Sequence, residues 1–310
     1  MALIYIFQHF LSLLLISKFN KIYAYLSLFL FFIIFIFKTD TFDLISYERL
    51  FRFNQYQHYE YFFVKIIDFI RIITSDSRIV ITLYQLFMIG VASSIIFYFR
   101  KQKLLTLAII FSSVMFMLAI NNNLRQGTSS IITLLGIISI FEGNKKLGFL
   151  LLMSSIGFHG STVYFLLIIS FLGLIFPLAY SIYYRDKNSM IFLYSICFSI
   201  AIISAYLIQY FTIMTKFYVY EGMNLTIDTH RTGLLLKSIL ILLSSLVVEM
   251  FLKFKKINFK IDLLRFLKLF FVLVVLSLSF DIAFDEIGSR ILYYYFMFEL
   301  GLLIYLINLN

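Results

Sequence analysis

Eleven apolar runs dominate this 310-residue chain: 2–17, 22–37, 78–99, 104–120, 127–141, 147–158, 162–182, 189–213, 234–252, 267–280 and 291–307. About 20 apolar residues cross a bilayer as a helix, somewhat fewer when neighbouring protein shelters the ends. With 62% hydrophobic and only 14% charged residues, a soluble fold of this length cannot hide so much apolar surface. The expected solvent is lipid. The reading is an all-α polytopic membrane protein of about 11 spans, one membrane-embedded domain over 1–310, with no soluble catalytic module. The run 2–17 lacks a basic start and a small-residue cleavage site, so it reads as an anchor rather than a signal peptide. The run 147–158 is short and is expected to tilt or to end in a shallow pocket.

Charge sets the orientation. Basic residues cluster at 100–103, 145–146, 185–187 and 253–268. With the N-terminus outside, fifteen of the 26 basic residues (Lys18 and Lys21 included) face the cytoplasm beside few acids, and the outer segments balance. The net charge of +10 is therefore a topology signal and not a nucleic-acid footprint. Cys197, the one cysteine, reads as a small core residue, which leaves no disulfide or Cys-based metal set.

Two outer loops, 38–77 and 214–233, gather the unusual residues. Within the first, EYFFVKIIDFIRII carries Lys65, Asp68 and Arg71 at intervals of three among Phe, Ile and Val. This predicts an outer-face amphipathic helix over 59–73 lying along the membrane surface.

Polar groups at membrane depth are costly and mark function. In NNNLRQGTSSIITLLG (121–136) a helix places Arg125, Ser129 and Thr133 on one face, with Asn122, Gln126 and Ser130 alongside. Arg125 falls near the positive N-terminus of that helix, where charge and dipole both favour a bound anion; the plain alternative is an arginine snorkelling to headgroups. GFHGST places His159 between Gly157 and Gly160 at the same outer face, Arg290 opens the last span with Tyr294 one turn on, and Asp43, Tyr47, Phe51 and Glu60 pattern the first outer loop. Each has a bland reading as an interfacial or solvated group. Together they describe an outward-facing site of arginines, a histidine and carboxylates, and planar guanidinium groups suit diphosphate oxygens. No HExxH, Walker loop or GxSxG motif appears.

The ordered set of DxxxYxxxF from Asp43 to Phe51, Glu60 opening an aromatic amphipathic stretch, NLRQG at 123–127, His159 after the next short span and Arg290–Tyr294 in the last span resembles the EpsG-like branch of the Wzy-type polysaccharide polymerases. The likeness runs from about residue 38 to 296. The chain departs from that pattern at Gly127–Thr128, where a more aliphatic, alanine-containing start is expected, and at Gly160–Ser161, where the family often has Pro-Ser.

The resemblance implies a metal-independent glycosyltransferase of the bacterial inner membrane. Its substrate is an undecaprenyl-diphosphate-linked oligosaccharide, polymerised into O-antigen, capsular or exopolysaccharide on the periplasmic face. Expected partners are that lipid-linked glycan, membrane lipids and a chain-length regulator, with no cofactor and no nucleic acid. In this scheme Arg125, Gln126, Arg290, Tyr294 and Tyr47 bind the diphosphate. His159 is the first candidate for general base, and Asp43 and Glu60 are the second. A flippase for lipid-linked sugars is the rival of another class, although repeated halves with broken helices are not visible here. A ligase sharing the same donor is the rival within enzymes. Glu299, mid-span, reads as a helix–helix hydrogen-bonding group.

Overall fold

The computed structural model describes residues 21–36, 42–99, 102–121, 123–183, 195, 197–207, 259–279 and 285–308. The expected runs 2–17 and 234–252, and the outer loop 214–233, lie outside the described residues. Every regular element among those described is helical. In chain order they are α1 (Lys21–Ile36), α2 (Phe42–Arg52), a 3-10 turn (Gln55–His58), α3 (Tyr61–Ile73), α4 (Ser77–Ser93, prolonged by a 3-10 turn, Ser94–Tyr98), α5 (Lys103–Ser112), α6 (Val114–Asn121), α7 (Leu124–Phe141), α8 (Lys145–Ile156) and α9 (Thr162–Tyr183). Then follow α10 (Cys197–Leu207), α11 (Phe259–Ser279) and α12 (Asp285–Asn308).

Among the described residues, three helices are long and apolar enough to cross a membrane: Ser77–Tyr98, Leu124–Phe141 and Ile291–Asn308. The chain is a helical membrane protein. Among the described residues the count of about eleven spans is not confirmed. The run 104–120, expected as one span, is two helices bent by 58°. The physical reason is Ser113, which adopts an extended ψ of 140°; its hydroxyl donates to Ile110 O at 2.8 Å and accepts from Phe116 N at 3.1 Å. One serine thus ends α5 and caps α6, a competition with helix continuation that small hydroxyl residues offer.

The chain divides into two compact units, Met1–Leu167 with Leu300–Asn310, and Ile168–Glu299. In the first, α7 is the central element: nearly all of it is buried, polar residues included. Its hydroxyls are satisfied locally or by neighbours. Thr128, Ser130 and Thr133 donate to carbonyls one turn back, Tyr84 of α4 meets Thr128 at 3.0 Å, and Ser129 donates to Ser155 O at 2.8 Å beside Thr162. Among the described residues of the stripe, Thr128 and Ser129 join α7 to its neighbours, Ser130 and Thr133 bond within α7, and Arg125 at its end is partly exposed. Gly127 lets α6 approach: a Cβ there would stand 2.7 Å from the Ala119 Cα. Of the more aliphatic, alanine-containing start expected over 127–128, a side chain at 127 would collide with Ala119.

The two ends of α7 differ in chemistry. At the far end Tyr305 donates to Glu142 at 2.8 Å and Asn308 to Thr106 at 3.0 Å, next to Lys145 and Lys146. Arg125 is about 26 Å from Glu142 along the helix, close to a bilayer's hydrocarbon thickness.

The second unit packs Phe176 of α9 against Phe266 of α11 at 5.2 Å. Phe271 of α11 stacks on Phe298 and Tyr294 of α12, at 5.5 and 6.1 Å. Lys268 and Glu299 are both buried in this unit, and Cys197 is a buried free thiol.

Candidate functional site

α3 begins at Tyr61 rather than 59, with Glu60 as its N-cap. Its polar stripe does not simply face water. Asp68 accepts from Tyr56 Oη at 3.0 Å and Gln57 at 3.3 Å, and Arg71 donates to Phe51 O at 2.8 Å. Those contacts clamp α3 to the preceding turn. Phe63, Val64, Ile67 and Ile70 are buried, while Phe69, Ile72 and Ile73 are exposed, so apolar rather than polar residues dominate the outward face. Exposed apolar residues beside the Lys65, Asp68 and Arg71 stripe are what an amphipathic helix at a membrane surface presents.

The start of α3 docks on the loop 157–160. Phe62 N and Phe63 N both donate to Gly157 O, at 2.9 and 3.4 Å, which satisfies the orphan donors of the first helical turn. Phe62 also packs its ring 5.9 Å from that of Phe158. With the helix served by Gly157, Glu60 makes no side-chain cap and its carboxylate is available elsewhere.

That carboxylate joins three parts of the chain. Glu60 Oε2 accepts from Arg125 Nη1 at 2.8 Å, and Glu60 Oε1 accepts from Gly160 N at 3.0 Å. His159 Nδ1 lies 3.4 Å from Oε1, an ion-pair distance without hydrogen-bond alignment. Tyr59 lies under the guanidinium, 3.8 Å from ring centroid to Cζ, a strong cation–π geometry. The Tyr47 hydroxyl sits beside the same guanidinium. Burial drives the Tyr47 phenol upward, against the pull of Arg125. Burial would also raise Glu60, but the His159 imidazole, the Arg125 charge and the Gly160 N–H outweigh it and hold the carboxyl at about 2.

The Arg125 and Glu60 side chains are each about a fifth exposed, at 21% and 22%, and His159 is 11% exposed. Arg125 Nε, both ring nitrogens of His159 and Ser161 Oγ are buried without a hydrogen-bond partner. Buried polar groups are normally paired, so these four atoms mark the cluster as a candidate site.

Of the residues singled out in the sequence, the fold brings Arg125, His159, Glu60 and Tyr47 together. Gln126 is fully buried and accepts from Asn123 at 3.0 Å. Tyr294 is buried in the second unit against Phe271. Asp43 and Arg290 fall in helices, but their side chains lie outside the described part of the structure. Tyr59 and Gly160 were not singled out as binding groups. An aromatic one residue before a candidate carboxylate was the available signal for the first, and a backbone donor leaves none.

These features define a class: a helical membrane protein with a part-buried arginine–histidine–carboxylate cluster at one end of its central helix. The chain belongs to the EpsG family, whose pattern matches residues 21–310 and which is a Wzy-like polymerase family. No curated protein and no solved structure matches the chain. Family membership gives a polysaccharide polymerase-like membrane function.

Proposed function

We propose that the protein polymerises undecaprenyl-diphosphate-linked oligosaccharide repeats on the periplasmic face of the bacterial inner membrane. The observation that carries this reading is the convergence of Arg125 and His159, with unpartnered buried nitrogens on both, at the end of α7 remote from Lys145 and Lys146. In the proposed step an acceptor sugar hydroxyl attacks the anomeric carbon of the donor glycan. The bond from that carbon to the diphosphate oxygen breaks, and the lipid diphosphate leaves with the electron pair. Arg125 stabilises the charge that develops on it, as preorganised cations do, so the role needs no metal. The hydroxyl proton passes to His159 Nε2. Glu60 itself, at about 2, is a poor acceptor for that proton.

The test pairs two variants. Arg125→Lys keeps the charge but loses the planar fork and its stack on Tyr59, and cells carrying it should accumulate single-repeat glycan despite normal membrane levels of protein. His159→Ala in purified protein at saturating lipid-linked repeat should slow transfer by about a hundredfold to ten-thousandfold. Full-length polymer from Arg125→Lys, together with unchanged turnover in His159→Ala, would remove this cluster from the reaction.

A further inference from the structure

Two donors hold Glu60, a third nitrogen lies beside it, and none is specific to a carboxylate. Arg125 Nη1, Gly160 N and His159 Nδ1 surround its two oxygens at 2.8, 3.0 and 3.4 Å. A guanidinium, a backbone N–H and an imidazole nitrogen together make the kind of concavity that binds a phosphoryl group as readily. We propose that this cradle is the subsite for one phosphoryl group of the lipid diphosphate, that the Gly160 N–H is one of its ligands, and that Glu60 is a resident anion the substrate must displace. The inference rests on the function proposed above and adds to it a competitor built into the chain.

Three further observations support displacement by side-chain rotation alone. The backbone at Glu60 is anchored independently, through Val64 N to Glu60 O at 3.0 Å and through the bonds from α3 to Gly157 O. Glu60 makes no cap bond to its own helix, so its departure leaves the start of α3 intact. Its side chain, 22% exposed, already has an open edge toward solvent. The carboxylate remains charged across the physiological range, so it competes at every working pH. Substrate binding would swap one carboxylate for a more highly charged anion on the same donors. The affinity of the free site is reduced by the fraction of time Glu60 fills it.

Binding of farnesyl diphosphate to the full chain in lipid nanodiscs, measured by titration calorimetry, tests this. Glu60→Gln keeps the shape without the charge, and Glu60→Ala empties the cradle; thermal melts establish that each variant is folded. Occupancy by Glu60 nine times in ten corresponds to about tenfold tighter binding in both variants, while Arg125→Gln should weaken binding relative to the unmodified chain. Binding in both Glu60 variants that is equal to or weaker than in the unmodified chain, with Arg125→Gln still impaired, would overturn the competitor and leave the diphosphate site standing. Binding insensitive to Arg125→Gln, or no binding in any of the four proteins, would overturn both.

Discussion

The Phe62 ring lies so close to the Gly157 Cα that any Cβ at position 157 would overlap it. This contact, with Gly157 O accepting from Phe62 N, registers the amphipathic helix on the loop that carries His159. Gly157→Ala should push the first turn of α3 outward, separate Glu60 from Arg125 and cost about 1–3 kcal/mol, the usual range for overpacking. The melting temperature in detergent and the polymer yield should both fall. Gly90→Ala, where a Cβ meets nothing within 4 Å, is the matched control. Equal behaviour of the two variants would show that the contact does not hold the site together.

Tyr59 is expected to act by holding the Arg125 guanidinium flat. Tyr59→Phe keeps a ring at 3.8 Å and should retain most activity; Tyr59→Leu should lose about 0.5–2 kcal/mol of interaction. The distinguishing readout is the affinity for a prenyl diphosphate, which a purely structural role would leave unchanged once the protein is folded. Parallel loss in both variants would point to the hydroxyl instead.

The depressed carboxyl of Glu60 has a signed consequence for stability. A group held at about 2 when folded, against about 4.3 in a model peptide, contributes stability fully above about pH 5 and loses it as pH falls toward 2. For a partly exposed pair the contribution is about 1–2 kcal/mol after screening. The melting temperatures of the unmodified chain and of Glu60→Gln should therefore differ by a constant amount above pH 5 and converge below it. A gap that widens on acidification would contradict the ion pair.

Orientation is testable by thiol labelling with Cys197 replaced by Ser. His58→Cys, exposed in the turn before α3, should react with an impermeant reagent from the periplasmic side, and Lys146→Cys only from the cytoplasmic side. Labelling of both from one side would place the two ends of α7 in the same compartment and remove the membrane between them.

Helical class, the membrane as solvent and the amphipathic stretch near 61–73 were all legible in the chain, because apolar run length and periodicity are local properties that lipid rewards directly. So was the candidate set Arg125, His159 and Glu60, since charged groups at membrane depth stand out against 62% hydrophobic residues. The break at Ser113 was not, because a serine hydroxyl chooses between continuing and ending a helix according to what packs around it.

Nor could sequence reveal that residues 65 and 100 positions apart share one carboxylate. Arg125, His159 and Glu60 each had a bland reading alone, as a snorkelling arginine, an interfacial histidine and a solvated acid. What the sequence by itself determined is which groups are costly to place in lipid. Only the tertiary structure decided which of them meet, which backbone N–H joins them, and that Ser129 and Thr133 serve packing instead, because those outcomes depend on how α3, α7 and the 157–160 loop close on one another.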